Sequence, residues 1–252
     1  MKLNVISFNI RCCDDKDGNT IAERAPRLFK IVNPYKADII GLQEYRPAWE
    51  KYIEENFANE YDMFVKYRNK TVDIEASPIL WRKDKFECVK TGYFWFSDTP
   101  EVESRGWDIK YNCYRMCVCV MLKEIESGKC FTVMNTHFGF GDKGQVGSAK
   151  LIYDYAQNFS NAPTFVVGDF NMHTDHLGYM EMTKNFVDVN VVTANDTGTT
   201  YHNYRPQEVT DEHIDYCFVS KNIIPINQTI IRDSVDGKYP SDHFGLYIEL
   251  DV

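Results

Sequence analysis

Near its end the chain places Ser241-Asp242-His243 just ahead of an apolar strand, and upstream Ile214-Asp215-Tyr216 opens another. A carboxylate such as that of Asp215 can orient the His243 imidazole and stabilise its protonated form. Gly168-Asp169-Phe170-Asn171 closes a buried apolar run, and Asp169 and Asn171, two apart, project to the same side of an extended chain. Leu42-Gln43-Glu44 closes another run and delivers a further carboxylate. Oxygens and an imidazole brought to one point from separate strand ends fit metal-assisted hydrolysis of a phosphoester. Taken singly, each has a plainer reading: Asn9 a turn residue, Glu44 a solvated charge or helix cap, His137 a satisfied sheet-edge histidine, Asp169 and Asn171 an Asx turn.

Short strands alternating with helices must position these groups. Lys2 to Asn9 reads as a strand ending on Asn9, and Thr20-Ile21-Ala22-Glu23 is a capping box for a helix running to Asn33-Pro34. Asp38 to Glu44 is a compact apolar strand. The spacing predicts strands over Ile79–Arg82, Phe86–Phe96, Arg115–Leu122 and Phe131–His137, rich in β-branched and aromatic residues. Ala149, Ile152, Tyr153 and Ala156 predict a helix over Val146–Phe159. Strands follow over Thr164–Gly168, Ile214–Val219 and Phe244–Leu250, with acids at or beside their ends. Strand ends on a rigid scaffold can aim several side chains at one point.

Composition narrows the function classes. The 252 residues show no repeat, low-complexity tract or linker, so one domain over 1–252 is expected. With 44% hydrophobic and 26% charged residues the chain is an ordinary globular one, and no apolar run is long enough to span a bilayer. Met1 leads directly into a strand without the apolar core of a secretory signal, which points to a cytoplasmic protein, or to an exported one whose signal has been removed. A net charge of −9 without a basic stretch disfavours binding of long duplexes, while clustered acids that hold cations would themselves contribute to that count. The eight cysteines lack paired metal-ligand spacing, and most read as small buried hydrophobes.

Ser7-Phe8-Asn9-Ile10-Arg11, Leu42-Gln43-Glu44, Asn135-Thr136-His137, Gly168-Asp169-Phe170-Asn171, Ile214-Asp215-Tyr216 and Ser241-Asp242-His243 together resemble the ordered motifs of the endonuclease/exonuclease/phosphatase superfamily. A narrower resemblance, to a largely uncharacterised bacterial subgroup, rests on Gly92 to Pro100, Gly106-Trp107-Asp108 and Asp236 to Pro240. That subgroup commonly continues after its Thr-His with an Asp-His pair, where this chain has Phe138-Gly139-Phe140-Gly141-Asp142. The resemblance implies an α/β fold: a four-layer αββα sandwich of two mixed sheets face to face, with helices outside and the motif loops at one end.

It also implies roles. Glu44, with Asn9 and Asp242, would anchor Mg²⁺, with Mn²⁺ a substitute, since both prefer hard oxygen ligands. Asp169 would orient or deprotonate the attacking water, Asn171 would donate to a phosphate oxygen, and His137 would bind the scissile phosphate or assist the leaving group. Asp215 would hold His243, which would stabilise the transition state or, in some family mechanisms, act as the base. Arg11 and Arg115 are candidates for phosphate contact, with salt bridges as the alternative. Trp95 and Trp107 either pack or form a pocket wall, and His173 and His176 read as loop or helix-cap residues rather than metal ligands. The leading substrate is a phosphodiester, including short or single-stranded nucleic acid. The alternative is a phosphorylated sugar, inositol phosphate or phospholipid head group, and the remaining one a catalytically silent binding module. Neither a membrane segment nor a protein partner is indicated.

Overall fold

The first elements are β1 (Lys2–Asn9), α1 (Ile21–Val32), β2 (Ile39–Gln43), α2 (Pro47–Phe57), β3 (Tyr61–Phe64) and β4 (Ile79–Arg82) in the computed structural model, which describes residues 1–72 and 74–252. Then come β5 (Phe86–Trp95), β6 (Met116–Glu124), β7 (Cys130–His137), α3 (Asp142–Phe159) and β8 (Thr164–Asp169). The chain closes with α4 (Leu177–Thr183), β9 (Val187–Asp188), α5 (Val189–Thr193), β10 (Asp215–Val219), β11 (Ile224–Ile231) and β12 (Gly245–Asp251).

The strands form two six-stranded sheets, ordered β11-β12-β1-β2-β4-β3 and β5-β6-β7-β8-β10-β9. The middle pair of each, β1 with β2 and β7 with β8, is parallel, and the other pairs are antiparallel, so both sheets are mixed. A parallel pair needs a crossover, which α1 supplies in one sheet and α3 in the other. Parallel neighbours end on the same edge. Hence Asn9 lies beside Gln43 and His137 beside Asp169, while antiparallel β10 begins with Asp215 opposite Asp169.

Three apolar layers separate four structural ones. Leu3, Val5, Ile39, Val118, Val133, Phe165 and Leu246 fill the space between the sheets. Leu28, Phe29, Trp49 and Ile53 pack α1 and α2 on the outside of the first sheet, and Ile152, Ala156, Tyr179 and Met182 pack α3 and α4 outside the second. This is the expected αββα sandwich. The expected capping box is present: Glu23 N donates to Thr20 Oγ1, and Thr20 N donates to Glu23 Oε2. Pro26, interior to α1, sits on its exposed side.

Some elements lie outside the sequence expectations. α2 carries Trp49, Ile53 and Phe57 every fourth residue behind Pro47, a legible helix signal. β11 is an edge strand with Asn227, Gln228 and Thr229 in its middle, which blurs its pattern. α3 starts at Asp142 rather than Val146, entered through Gly141 at φ 102, and β6 starts at Met116, leaving Arg115 just ahead of it.

Close to the motif end, the sheets are joined by polar groups. Gln43 Nε2 donates to Asn135 Oδ1 at 2.8 Å, and Asn135 Nδ2 donates to the carbonyls of Leu42 and Pro78. Gly41 permits this approach, since a Cβ there would meet Val167 Cγ2 at 2.7 Å and Asn135 Cγ at 3.1 Å. Gly41→Ala is expected to lower stability by about 1–3 kcal/mol, the usual cost of overpacking, read from the urea midpoint. An unchanged midpoint would mean that the sheets have slack here.

Candidate active site

Three of the six motifs turn at the sandwich end through backbone that ordinary residues disfavour. Arg11, Glu44 and Asn171 adopt left-handed backbone, at φ 61, 61 and 48, within two residues of the ends of β1, β2 and β8. Such conformations persist only where surrounding contacts hold them. For Asn171 the contacts are visible: its N–H donates to Asp169 Oδ1, its side chain to Phe138 O, and its carbonyl accepts from Gln145 Nε2.

Asn9 sits fully buried where the two sheets meet. Its Nδ2 donates to Asp169 Oδ2 at 2.9 Å and to Glu44 Oε1 at 3.2 Å, while its Oδ1 accepts from Arg11 N. The amide thus bridges two carboxylates from different sheets. Ser241 Oγ donates to the Asn9 carbonyl at 2.6 Å, tying the last motif to the first.

His243 lies between two acids. Its Nδ1 is 2.9 Å from Asp215 Oδ2 and its Nε2 is 3.6 Å from Asp169 Oδ2. Burial alone would lower its pKa, but the charge and hydrogen bond of Asp215, with Asp169 and Asp242, raise it to about 10. The ring is therefore held as an imidazolium. Asp169 is pushed up to about 7 by burial and by the charge of Asp215, against the pull of His243 and the donors Asn9 and Asn171. His137 differs: burial, then Arg115 and Arg68, hold it well below its ordinary value, so it stays neutral with Nε2 3.5 Å from Asp169.

Glu44 and Asp242 form a second acidic group. Burial would raise Glu44, yet the Cys12 backbone donor at 2.8 Å and nearby Arg11 bring it down to about 2. Asp242 is raised, first by burial and then, despite His243, by the charge of Glu44. Arg11 stands 3.9 Å from Glu44 and 3.7 Å from Asp242, but its bidentate bond goes to Asp15. Two carboxylates on one cavity, Asp242 buried and Glu44 partly so, offer the hard oxygen donors that a divalent cation takes. Among the described residues, Asp169, Asp215 and His243 also bring ligand atoms within 4.8 Å of one another. With His243 carrying its proton, a cation at that group would have to displace it.

A cavity of about 540 Å³ opens onto Glu44, Asp242, His243, Asp169, Asn171 and His137, and Arg11 and Arg115 reach it as well. Arg115 is buried and donates to Asp108 Oδ2 at 3.0 Å. Trp107 does not join the wall. Its ring packs where a Cβ on Gly147 would stand and its carbonyl where one on Gly144 would, and its Nε1 donates to Asp98 outside the cavity, because those two glycines of α3 leave a seat for it. Trp95 is buried and bonds the Arg68 carbonyl. His176 precedes α4 as its N-cap residue, and His173 pairs with Glu212 at 3.2 Å.

Arg24, unmarked by any motif, proves central. All its guanidinium hydrogens meet backbone: Nε donates to Asn19 O, Nη1 to Ile10 O and Pro240 O, and Nη2 to Arg11 O and Cys13 O. One buried side chain on α1 thereby pins the loops that carry Arg11 and Asp242. Only the folded contacts could have revealed it.

The Endonuclease/Exonuclease/phosphatase family model matches residues 6–243. Among solved structures, an endonuclease/exonuclease/phosphatase family protein from Bacteroides thetaiotaomicron is 30% identical with a TM-score of 0.91, covering 100% of this chain and 99% of its own. A mannosyl-6-phosphatase from the same organism is 30% identical with a TM-score of 0.90, covering 99% and 100%. TDP2 from D. rerio, complexed with a single-strand DNA product, shares the fold at 19% identity and a TM-score of 0.76, covering 100% and 99%. An uncharacterized protein of Acanthamoeba polyphaga mimivirus is 28% identical over 160 residues, 59% of this chain and 58% of that protein's length.

Arg24→Lys replaces the planar fork by three donors that cannot span the same carbonyls. The expected loss is about 2–3 kcal/mol, the scale of buried groups left unpaired, read by thermal unfolding. A variant as stable as the parent would show that the loops hold themselves.

Proposed function

This chain belongs to the Endonuclease/Exonuclease/phosphatase family, whose members hydrolyse phosphoesters, and on that premise we propose that it hydrolyses a small phosphorylated molecule of sugar size by in-line attack of water. The observation that carries the reading is the acid–imidazolium–acid array of Asp215, His243 and Asp169 set beside the Glu44–Asp242 pair in one cavity.

Asp169, with its carboxyl near neutrality, is suited to accept a proton from the attacking water. His243 is an imidazolium at ordinary pH and is therefore the wrong partner for that proton. It supplies positive charge and a donor to the phosphoryl oxygens as they gain charge. Asp215 fixes its tautomer and orientation. Neutral His137 offers a hydrogen bond to the phosphate, and Asn171 keeps one amide hydrogen beyond its bond to Phe138 O for the same use. Glu44 and Asp242 would hold Mg²⁺ or Mn²⁺, with Asn9 keeping Glu44 in place. A cation there offsets charge on the phosphoryl and leaving oxygens. The product phosphate forms without a phospho-enzyme.

Several observations support a small substrate. The site is a walled cavity, the net charge is −9, and the mannosyl-6-phosphatase relative is similar over its whole length. A strand-shaped nucleic acid would call for a basic track along the surface.

Asp169→Asn and His243→Ala are each expected to lower kcat by at least about 10²-fold with an unchanged circular dichroism spectrum. Near-normal turnover in either would remove it from the machinery. Glu44→Ala should raise the Mg²⁺ or Mn²⁺ concentration needed for half-maximal activity, and an unchanged titration would place the cation elsewhere. In a metal-supplemented panel, phosphorylated sugars should be turned over and short oligonucleotides should not. The reverse pattern would return the case to a nuclease.

A further inference from the structure

Opposite the catalytic acids, the cavity is walled by the loop ahead of β6, whose position is set by glycines. A Cβ on Gly139 would meet Asp108 Cβ at 2.7 Å, one on Gly141 would meet Ile109 Cδ1 at 2.7 Å, and one on Gly144 would meet the Trp107 carbonyl at 2.8 Å. Ile109 N donates to Phe140 O at 3.2 Å. The Phe138-Gly139-Phe140-Gly141 segment thus provides the bed on which the Gly106–Tyr111 loop lies.

Asp108 locks that loop to the reacting end. Its Oδ1 accepts from the N–H groups of Lys110 and Tyr111 at 2.9 and 3.0 Å, and its Oδ2 accepts from Arg115 Nε at 3.0 Å. Arg115 in turn acts electrostatically on His137. Tyr111, 60% exposed, lines the cavity with its ring edge-on to Phe140 at 5.5 Å, and Lys110 Nζ lies 4.2 Å from the Phe140 centroid. Tyr201 lines the same cavity, its ring 5.0 Å from that of His243. Glu212 and His173, 3.2 Å apart and partly exposed, also line the cavity.

We propose that Tyr111 and Tyr201, with Glu212 and His173, form a subsite for the pyranose ring of a sugar phosphate, held by the Asp108-locked loop. The inference rests on the small-substrate reading above. The C–H faces of a pyranose are weakly positive and apolar, matching the negative face of a tyrosine ring. Its neighbouring hydroxyls each donate and accept, and a carboxylate beside an imidazole answers both needs. Asp108 is a positioning residue here, and Tyr111 determines specificity.

The test compares kcat/KM on hexose 6-phosphates with that on glycerol 3-phosphate, which has no ring to stack, using the full chain with saturating Mg²⁺. The parent should favour the hexose by at least about tenfold, the scale of one aromatic contact. Tyr111→Ala should abolish that preference through KM, and Tyr111→Phe should restore it. Equal hexose preference in the parent and in Tyr111→Ala overturns the subsite while leaving the phosphoesterase reading intact. A Tyr111-dependent preference for nucleoside monophosphates over hexose phosphates also overturns it, assigning the rings to a base. Inertness toward every small phosphate ester, with cleavage of oligonucleotides, overturns both readings together.

Discussion

A single amide, that of Asn9, holds two carboxylates that belong to different sheets. Its donors reach Asp169 in the second sheet at 2.9 Å and Glu44 at the end of the first at 3.2 Å. Buried carboxylates are tolerated only when their oxygens find donors. The bridge therefore requires both sheets to end at the same level. The polar contact between Gln43 and Asn135, and the missing side chain at Gly41, set that level from behind. From the solvent side, Arg24 fastens the loop after β1 and the loop before β12 by their carbonyls.

With that frame in place, burial divides like groups into unlike roles. Glu44 receives a backbone donor and a nearby guanidinium that bring it down to about 2, whereas Asp169, buried and crowded by Asp215, is pushed up to about 7. His243 gains two acidic neighbours and keeps its proton, while His137, facing Arg115 and Arg68, loses it. Groups of one type at opposite ends of their titration range are what acid–base chemistry on a phosphoester needs. The charge left over on Glu44 and Asp242 is what a divalent cation would neutralise.

The wall facing this machinery is built differently, from loop rather than strand. Its shape depends on glycines that no motif marks as catalytic, and on Asp108, which serves the loop with one oxygen and Arg115 with the other. Such a wall can vary while the strand-end chemistry stays fixed.

The strand-end groups were legible in the linear chain because strands with period two and short apolar runs announce where they stop, and Asn9, Glu44, His137, Asp169, Asp215, Asp242 and His243 all stand at or near such stops. The capping box of α1 and the layered α/β character followed from equally local signals. α2 was as legible in principle, through Trp49, Ile53 and Phe57, whereas β11, polar along its middle, offered little. Trp107 was misleading because an aromatic residue near a motif looks the same whether it faces a ligand or a helix. Placements that depend on residues far apart were beyond local pattern: the Asn9 bridge, the carbonyl cage around Arg24, the glycine bed under the Gly106–Tyr111 loop and the arrival of Tyr111 and Tyr201 on one cavity. The sequence by itself determined which side chains would stand at strand ends, because that depends on neighbours within a few residues. Only the tertiary structure decided how burial and neighbouring charge bias each acid and histidine and which loop walls their cavity, because those depend on groups brought together across the sandwich.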